Sequence, residues 1–287
     1  MSVKIIFVGD VMQDILISFK DQIAYGSDTQ SQIKMQGGGS ATNTACWAST
    51  QNVSVGLAAR IGDDQTGKLI RDGLIHQNLS LNLVETPDSR SGSCAILIDA
   101  QGERTMFPDP GANLFLSPSD IPDEWFETAE IIHISAYSLL RTNTKKTIQE
   151  IIKKAKERKI KTSIDVASSQ PLIDNDGFNS LAQLAPFDYL FANKDEAEVL
   201  GDTSKIKSLC HNLILKKGSK ESTWLSTDLE VIDIPENVVM VDSIGAGDAF
   251  AAGFLTSLVK KEPAASILKN ANYLGSQAVK ISGARPI

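Results

Sequence analysis

Short apolar runs rich in β-branched residues alternate with stretches of helical period over most of the chain, and this alternation restricts the fold more than any other feature. Residues 4–9, 53–61, 131–135, 161–166, 189–192 and 212–216 read as strands. Residues 41–50, 66–77, 144–158 and 249–260 read as helices between them. Strand–helix–strand repetition is the pattern of stacked βαβ units around a mainly parallel sheet. Several strands are apolar nearly throughout rather than alternating, as expected when helices cover both faces. The expectation is an α/β chain with a three-layer α/β/α core.

Two regions interrupt the alternation. Residues 15–36 are polar, Gln-rich and without helical period, and residues 93–107 read as a hairpin, CAILID then AQGE then RTMF, with Gly102 in the turn. Together they predict a small β lid of residues 15–36 and 93–113. The large domain then comprises residues 1–14, 37–92 and 114–287. With 287 residues, 42% of them hydrophobic, the chain has material for one large core and a small attachment.

Charge narrows the partners. Against 28 Lys and Arg stand 35 Asp and Glu, a net charge of −7, so the surface as a whole repels phosphate backbones and anionic bilayers. Neither nucleic acid nor membrane is expected as a partner, although a cleft for one small anion survives the argument. No segment approaches about 18 uninterrupted apolar residues, and the N-terminal apolar run is too short for a signal-peptide core. A soluble, cytoplasmic chain is expected. Cys46, Cys94 and Cys210 are scattered and odd in number, which suits reduced thiols. His76, His133 and His211 lack ligand spacing, so no zinc site is expected. The run from Gly62 to Leu69 has G-x-x-x-x-G-K, but Leu69 replaces the magnesium-binding hydroxyl, and Asp63 and Asp64 repel phosphate. It reads as a loop between a strand and a helix.

Two glycine-rich segments carry chemistry. In Val241-Asp242-Ser243-Ile244-Gly245-Ala246-Gly247-Asp248, small residues at a helix entrance leave N–H groups open, and the helix dipole adds partial positive charge there. With Asp248 beside such an anion hole, the arrangement suits phosphoryl transfer: amides stabilise the moving group and the carboxylate accepts a proton. Asp248 reads equally as a helix N-cap. In Gln36-Gly37-Gly38-Gly39-Ser40-Ala41-Thr42-Asn43, three glycines let a ligand lie against bare backbone, and Asn43 offers the donor and acceptor that sugar hydroxyls need. A plain turn before a core helix reads as well.

The ordered pair GGGSATN and DSIGAGDAFAAGFL, about 200 residues apart, resembles the two signatures of the ribokinase-like (PfkB) carbohydrate kinases. GDVMQD at Gly9, GERTMFPDPGAN at Gly102, NKDE at Asn193 and the terminal SGARP agree with it. The resemblance implies a ribokinase-like fold and ATP-dependent phosphorylation of a sugar hydroxyl. Asp248 would be the base, with Gly245, Ala246 and Gly247 forming the anion hole. It implies that Asp14, Gly38, Gly39 and Asn43 hold the sugar, with Arg104 of the lid reaching the sugar or its phosphate. Asn193, Lys216, Gly218, Ser219 and Asn272 are implied nucleotide contacts. Glu196 is implied for Mg2+, partly through water, and Asp242 for a monovalent cation such as K+. Lids in such enzymes often pair between subunits, so a homodimer through the lid is expected. Glu221 stands where many members have glycine, and Ser243 where threonine is commoner. A nucleoside kinase of the same fold is the main alternative and a non-catalytic sugar sensor a further one. With only 6% aromatic residues to wall a base, the acceptor reads as a sugar of ribose, fructose or keto-deoxy acid type.

Overall fold

The computed structural model describes residues 2–75 and 78–286. Its strands are β1 Ile5–Val8, β2 Met12–Phe19, β3 Ser31–Gly38, β4 Val55–Gly62, β5 Leu79–Thr86, β6 Gly92–Ile98 and β7 Arg104–Asp109. They continue as β8 Ile131–Ser135, β9 Lys161–Asp165, β10 Phe187–Asn193, β11 Cys210–Lys216, β12 Ser222–Leu225 and β13 Glu230–Asp233.

Nine strands form one sheet in the order β13-β12-β11-β10-β9-β8-β1-β4-β5. All pairs are parallel except β11–β12 and β12–β13. The chain runs outward from β1 to β5 on one side, then from β8 towards β11 on the other. The strand order therefore reverses between β1 and β8, and open sheets of this kind bind ligands at the strands' C-terminal ends near such a reversal. Every residue of β1 and β8 is buried. Helices Ser40–Ser49, Ala246–Val259 and Ala264–Ala278 share one apolar core with one sheet face, and helix Thr142–Glu157 joins the core of the other. The result is the expected three-layer α/β/α core.

Aromatic packing sets the height of the helix that carries Asp248. The Phe254 ring meets Tyr189, Phe191 and Trp224 edge-on, at centroid distances of 5.9, 5.3 and 4.9 Å. Each such pair contributes about 0.5–1.5 kcal/mol beyond area burial. Helix Ala246–Val259 is thereby tied to β10 and β12, and its N-terminus is held over the sheet's C-terminal edge.

The second sheet, in the order β3-β2-β6-β7, is small and separate, and it is built from the segments expected to form a lid. Gly102 lies in the β6–β7 turn with φ of +83°. The sheet reaches past the expected limits because the β2–β3 ladder does not stop at residues 15 and 36: it continues through Asp14↔Gln36 and Gln13↔Gly37 to Met12↔Gly38. Three other local differences have simple causes. β5 was not anticipated, since its half-buried edge position leaves a mixed pattern rather than an apolar run. The short antiparallel β12 and β13 lie beyond the last parallel strand. The helix expected at 66–77 is Gln65–Asp72, followed by Gly73, and His76 and Gln77 lie outside the described residues. At its start Asp64 Oδ1 accepts the Gly67 amide at 2.7 Å, so the G-x-x-x-x-G-K segment is a capped strand–helix junction.

Candidate active site

The C-terminal ends of β9, β10 and β11 bring Asp165, Asn193 and Lys216 side by side. Lys216 Nζ donates to Asp165 Oδ2 at 2.6 Å, both side chains nearly buried. Burial alone would lower the Lys216 pKa, but Asp165 and Glu196 outweigh it and hold it above the usual value. Asn193 caps the helix Lys194–Leu200 through a reciprocal pair. Its Oδ1 accepts Glu196 N–H at 2.9 Å, while its N–H and Nδ2 donate to the two Glu196 carboxylate oxygens at 2.7 and 2.6 Å. Burial pushes Glu196 up to about 7 against the pull of Lys216.

Helix Ala246–Val259 begins differently. Its N-cap is Gly245, in the left-handed region at φ 78°, which offers no side chain to the first-turn amides. The Ala246 N–H reaches Ser243 O at 3.4 Å, and the Gly247 and Asp248 N–H groups have no hydrogen-bond partner among the described residues. Asp248 does not cap. Its Oδ1 accepts Ser40 Oγ at 2.8 Å and its Oδ2 accepts Asn43 Nδ2 at 3.0 Å. Burial raises its pKa to about 6, with the Asn43 and Ser40 donors pulling the other way.

Ser40 and Asn43 open helix Ser40–Ser49, directly after the three glycines. Backbone requires glycine at Gly39, with φ of +95° and Asp10 O where a Cβ would lie, while side chains crowd the other two. A Cβ on Gly37 would fall on the Arg285 guanidinium, and one on Gly38 on the Asp14 carboxylate. The space expected for a ligand against bare backbone at these two positions is therefore filled by side chains. Asp14, buried on β2, has its pKa raised by burial to about 6, partly offset by Arg285. Arg285 donates from Nε to Asn43 Oδ1 at 3.1 Å and from Nη2 to Gly38 O at 2.6 Å.

Asp14, Gly38, Gly39, Asn43 and the Gly245-Ala246-Gly247-Asp248 turn thus converge. Asn193, Glu196 and Lys216 form an adjacent group, since a Cβ on Gly247 would lie 3.2 Å from Lys216 Nζ. Other anticipated residues lie elsewhere. Arg104 donates to Asp242 Oδ1 at 2.6 Å and to Ser243 Oγ at 2.7 Å, so this arginine of the small sheet is bound to the glycine turn's leading loop. Asp242 further accepts the amides of Ile244 at 2.9 Å and Gly283 at 3.1 Å, which occupies the carboxylate read as a cation ligand. Gly218 and Ser219 lie in an exposed turn closed by Lys217 N–H to Glu221 O at 2.9 Å. Asn272 donates to Asp233 at 2.8 Å beside a cavity of about 320 Å³ lined also by Ile234, Pro235 and Tyr273. Among the described residues no three His, Cys, Asp or Glu side chains group as metal ligands. His133 is buried against Ser163 at 2.8 Å, and burial lowers its pKa to about 4.

Sequence reading missed Ser40, Asp165 and Arg285. Asp165 carried a usable signal, an acid at the C-terminal end of an apolar parallel strand. Ser40 and Arg285 stood inside quoted motifs, with nothing local to mark their reach.

Residues 3–287 match the model of the pfkB family carbohydrate kinases. An ATP-dependent ribose-1-phosphate kinase of Halopiger xanaduensis is 28% identical, over 99% of this chain and 94% of that one. A fructokinase of Klebsiella pneumoniae is 25% identical, over 90% and 85%. Among solved structures, adenosine kinase from Sinorhizobium meliloti superposes with a TM-score of 0.87 at 19% identity, covering 100% of this chain and 97% of that one. A structure described as ribokinase II in complex with ATP and Mg2+ from E. coli has a TM-score of 0.87 at 17% identity, covering 98% and 94%. The chain belongs to the pfkB family of carbohydrate kinases and is a phosphotransferase with a ribokinase-like fold.

Proposed function

We propose that the protein transfers the γ-phosphoryl group of ATP to a hydroxyl of a small sugar, with Asp248 as general base. One observation carries this reading: a half-buried carboxylate held by Ser40 and Asn43 at a helix entrance whose Gly247 and Asp248 amides have no partner. Those unpaired donors suit the charge that grows on a phosphoryl group in flight. Asp248, ionised near neutral pH, takes the proton of the attacking hydroxyl. Asp14 and Asn43 offer partners to the sugar's other hydroxyls. Lys216 supports the nucleotide phosphates, and the cavity by Asn272 takes the base between Pro235 and Tyr273.

Magnesium fits as an ion carried by the nucleotide. Lys216 holds Asp165 and Asn193 holds both oxygens of Glu196, so these carboxylates suit contact through water rather than a direct cage. When bound, the ion would neutralise phosphate charge.

A sugar is favoured over a nucleoside by the side of the small sheet that carries Asp14. Strand register places Leu16, Gln36, Cys94, Ile96 and Met106 on that side with Asp14, and none of them is aromatic. The named sugar kinases among the sequence relatives support the same choice. The test is a panel of pentoses, hexoses, sugar phosphates, keto-deoxy acids and nucleosides, with ADP formation as readout. Turnover on a sugar is the expected result; turnover on nucleosides alone would overturn it.

The lid's outer face supports a homodimer. Strand register places Ile15, Ile17, Ile33, Met35, Leu97 and Phe107 on one side of the sheet, with Ile33, Met35 and Phe107 66%, 58% and 56% exposed. Ile33→Glu is expected to halve the mass measured by sedimentation, and a wild-type monomer contradicts the pairing.

A further inference from the structure

Arg285 lies two residues from the end of the chain, yet its side chain reaches the centre of the site. The backbone just before it is fixed at two points: Trp47 Nε1 donates to Ala284 O at 2.9 Å, and Gly283 N–H donates to Asp242 at 3.1 Å. From that anchor the guanidinium enters the gap left by the missing Cβ of Gly37. It then donates to Gly38 O at 2.6 Å and to Asn43 Oδ1 at 3.1 Å.

The chemistry of the groups gives this chain a direction. A guanidinium carries donors only, whereas the two ends of an asparagine amide are nearly equal in shape. The end of Asn43 that faces Arg285 must therefore be the carbonyl oxygen. The opposite end must be the NH2 group, and that end lies 3.0 Å from Asp248 Oδ2. We propose that Arg285 is a positioning residue for phosphoryl transfer: it fixes the amide orientation of Asn43 and thereby the donor that holds the Asp248 carboxylate. This rests on Asp248 being the base. Without Arg285 the Asn43 amide is free to flip, presenting an oxygen to a carboxylate that needs a donor.

The consequence for titration has a definite sign. The groups facing Asp248 are Ser40 and Asn43 from the helix after the glycines, Asp165 and Lys216 from β9 and β11, Tyr137 after β8, and Arg285. Replacing Arg285 by a neutral residue removes a cation and destabilises one donor, and both changes favour the protonated carboxyl. Arg285 also pulls Asp14 down, so both carboxyls carry the acid limb of kcat/KM to higher pH, and the acid limb of kcat at saturating acceptor reports Asp248.

The experiment measures kcat, both KM values and the pH profile for wild type, Arg285→Gln, Arg285→Lys, Asn43→Ala and the Arg285→Gln/Asn43→Ala double variant. Asp248→Asn is run alongside, with thermal melts to establish folding. Arg285→Gln is expected to lower kcat roughly tenfold or more, leave KM for ATP unchanged and raise the acid limb of kcat. Arg285→Lys, which keeps a donor and the charge, recovers part of the loss and stands in should the glutamine variant fail to fold. In the Asn43→Ala background the Arg285→Gln change costs much less than it does in wild type, because only the loss of the cation remains. Losses that multiply in the double variant, or an unmoved acid limb of kcat, overturn the proposal and point to Arg285 acting on the acceptor directly. An active Asp248→Asn enzyme overturns the base reading itself. An inactive one with multiplying losses removes the Arg285 role alone.

Discussion

Helices Lys194–Leu200 and Ala246–Val259 start beside one another at the same edge of the sheet, and each has an acid at its third position, Glu196 and Asp248. In the first, Asn193 at the N-cap and Glu196 bind each other, and the carboxylate is held in closing the helix, open to an ion only through water. In the second, Gly245 has no side chain to give, so two amides stay unpaired and Asp248 turns outward to Ser40 and Asn43. The residue at the cap decides whether the neighbouring acid is structural or available for chemistry. A capped helix gains stability; an uncapped one retains donors for an anion.

Supplying the missing cap is the strongest way to break this contrast. In Gly245→Asp, a carboxylate within reach of the free amides competes with the phosphoryl group, and the left-handed backbone with its close Ala284 neighbour resists a side chain. A loss of about 10²–10³-fold in kcat is expected, the cost of one anion-hole donor; near-normal kcat breaks the contrast. Next comes pH. Burial holds Asp248 and Asp14 near 6, above their ordinary value, so the ionised forms needed to accept protons or sugar hydroxyls are lost as pH falls through that region. The profile of log kcat/KM is expected to descend below about pH 6 with a slope between about one and two; a flat profile down to pH 5 contradicts it. The smallest effect belongs to the capped helix. Asn193→Ala is expected to cost about 1 kcal/mol, read from denaturant unfolding, with kcat changed far less than in Gly245→Asp.

The same contrast explains what was legible in sequence. Strand runs such as IIFV at Ile5–Val8 are apolar because helices cover both faces, so the sheet was readable. The edge strands β5 and β13 are mixed in pattern because one side of each faces less protein, and the four-residue β12, STWL, is buried but half polar in sequence, so these three were not. Asp248 was found, but whether it capped its helix was open, because Asp suits both uses. Only the direction of its carboxylate decides between them, and that depends on Ser40 and Asn43, some 200 residues away. Arg285 is the extreme case: it stood inside the SGARP run, but nothing in that run marks its reach, and its meaning comes from a gap left by Gly37.

The central claim is that Asp248 is the base and not a structural acid. Its most direct test is the turnover of Asp248→Asn at saturating ATP and acceptor, with ATP binding measured on the same preparation. The account predicts a fall of about 10²–10⁴-fold in kcat with ATP affinity retained, and a higher Tm at pH 8, where the wild-type carboxylate is ionised and half-buried. Turnover within a few-fold of wild type would contradict it.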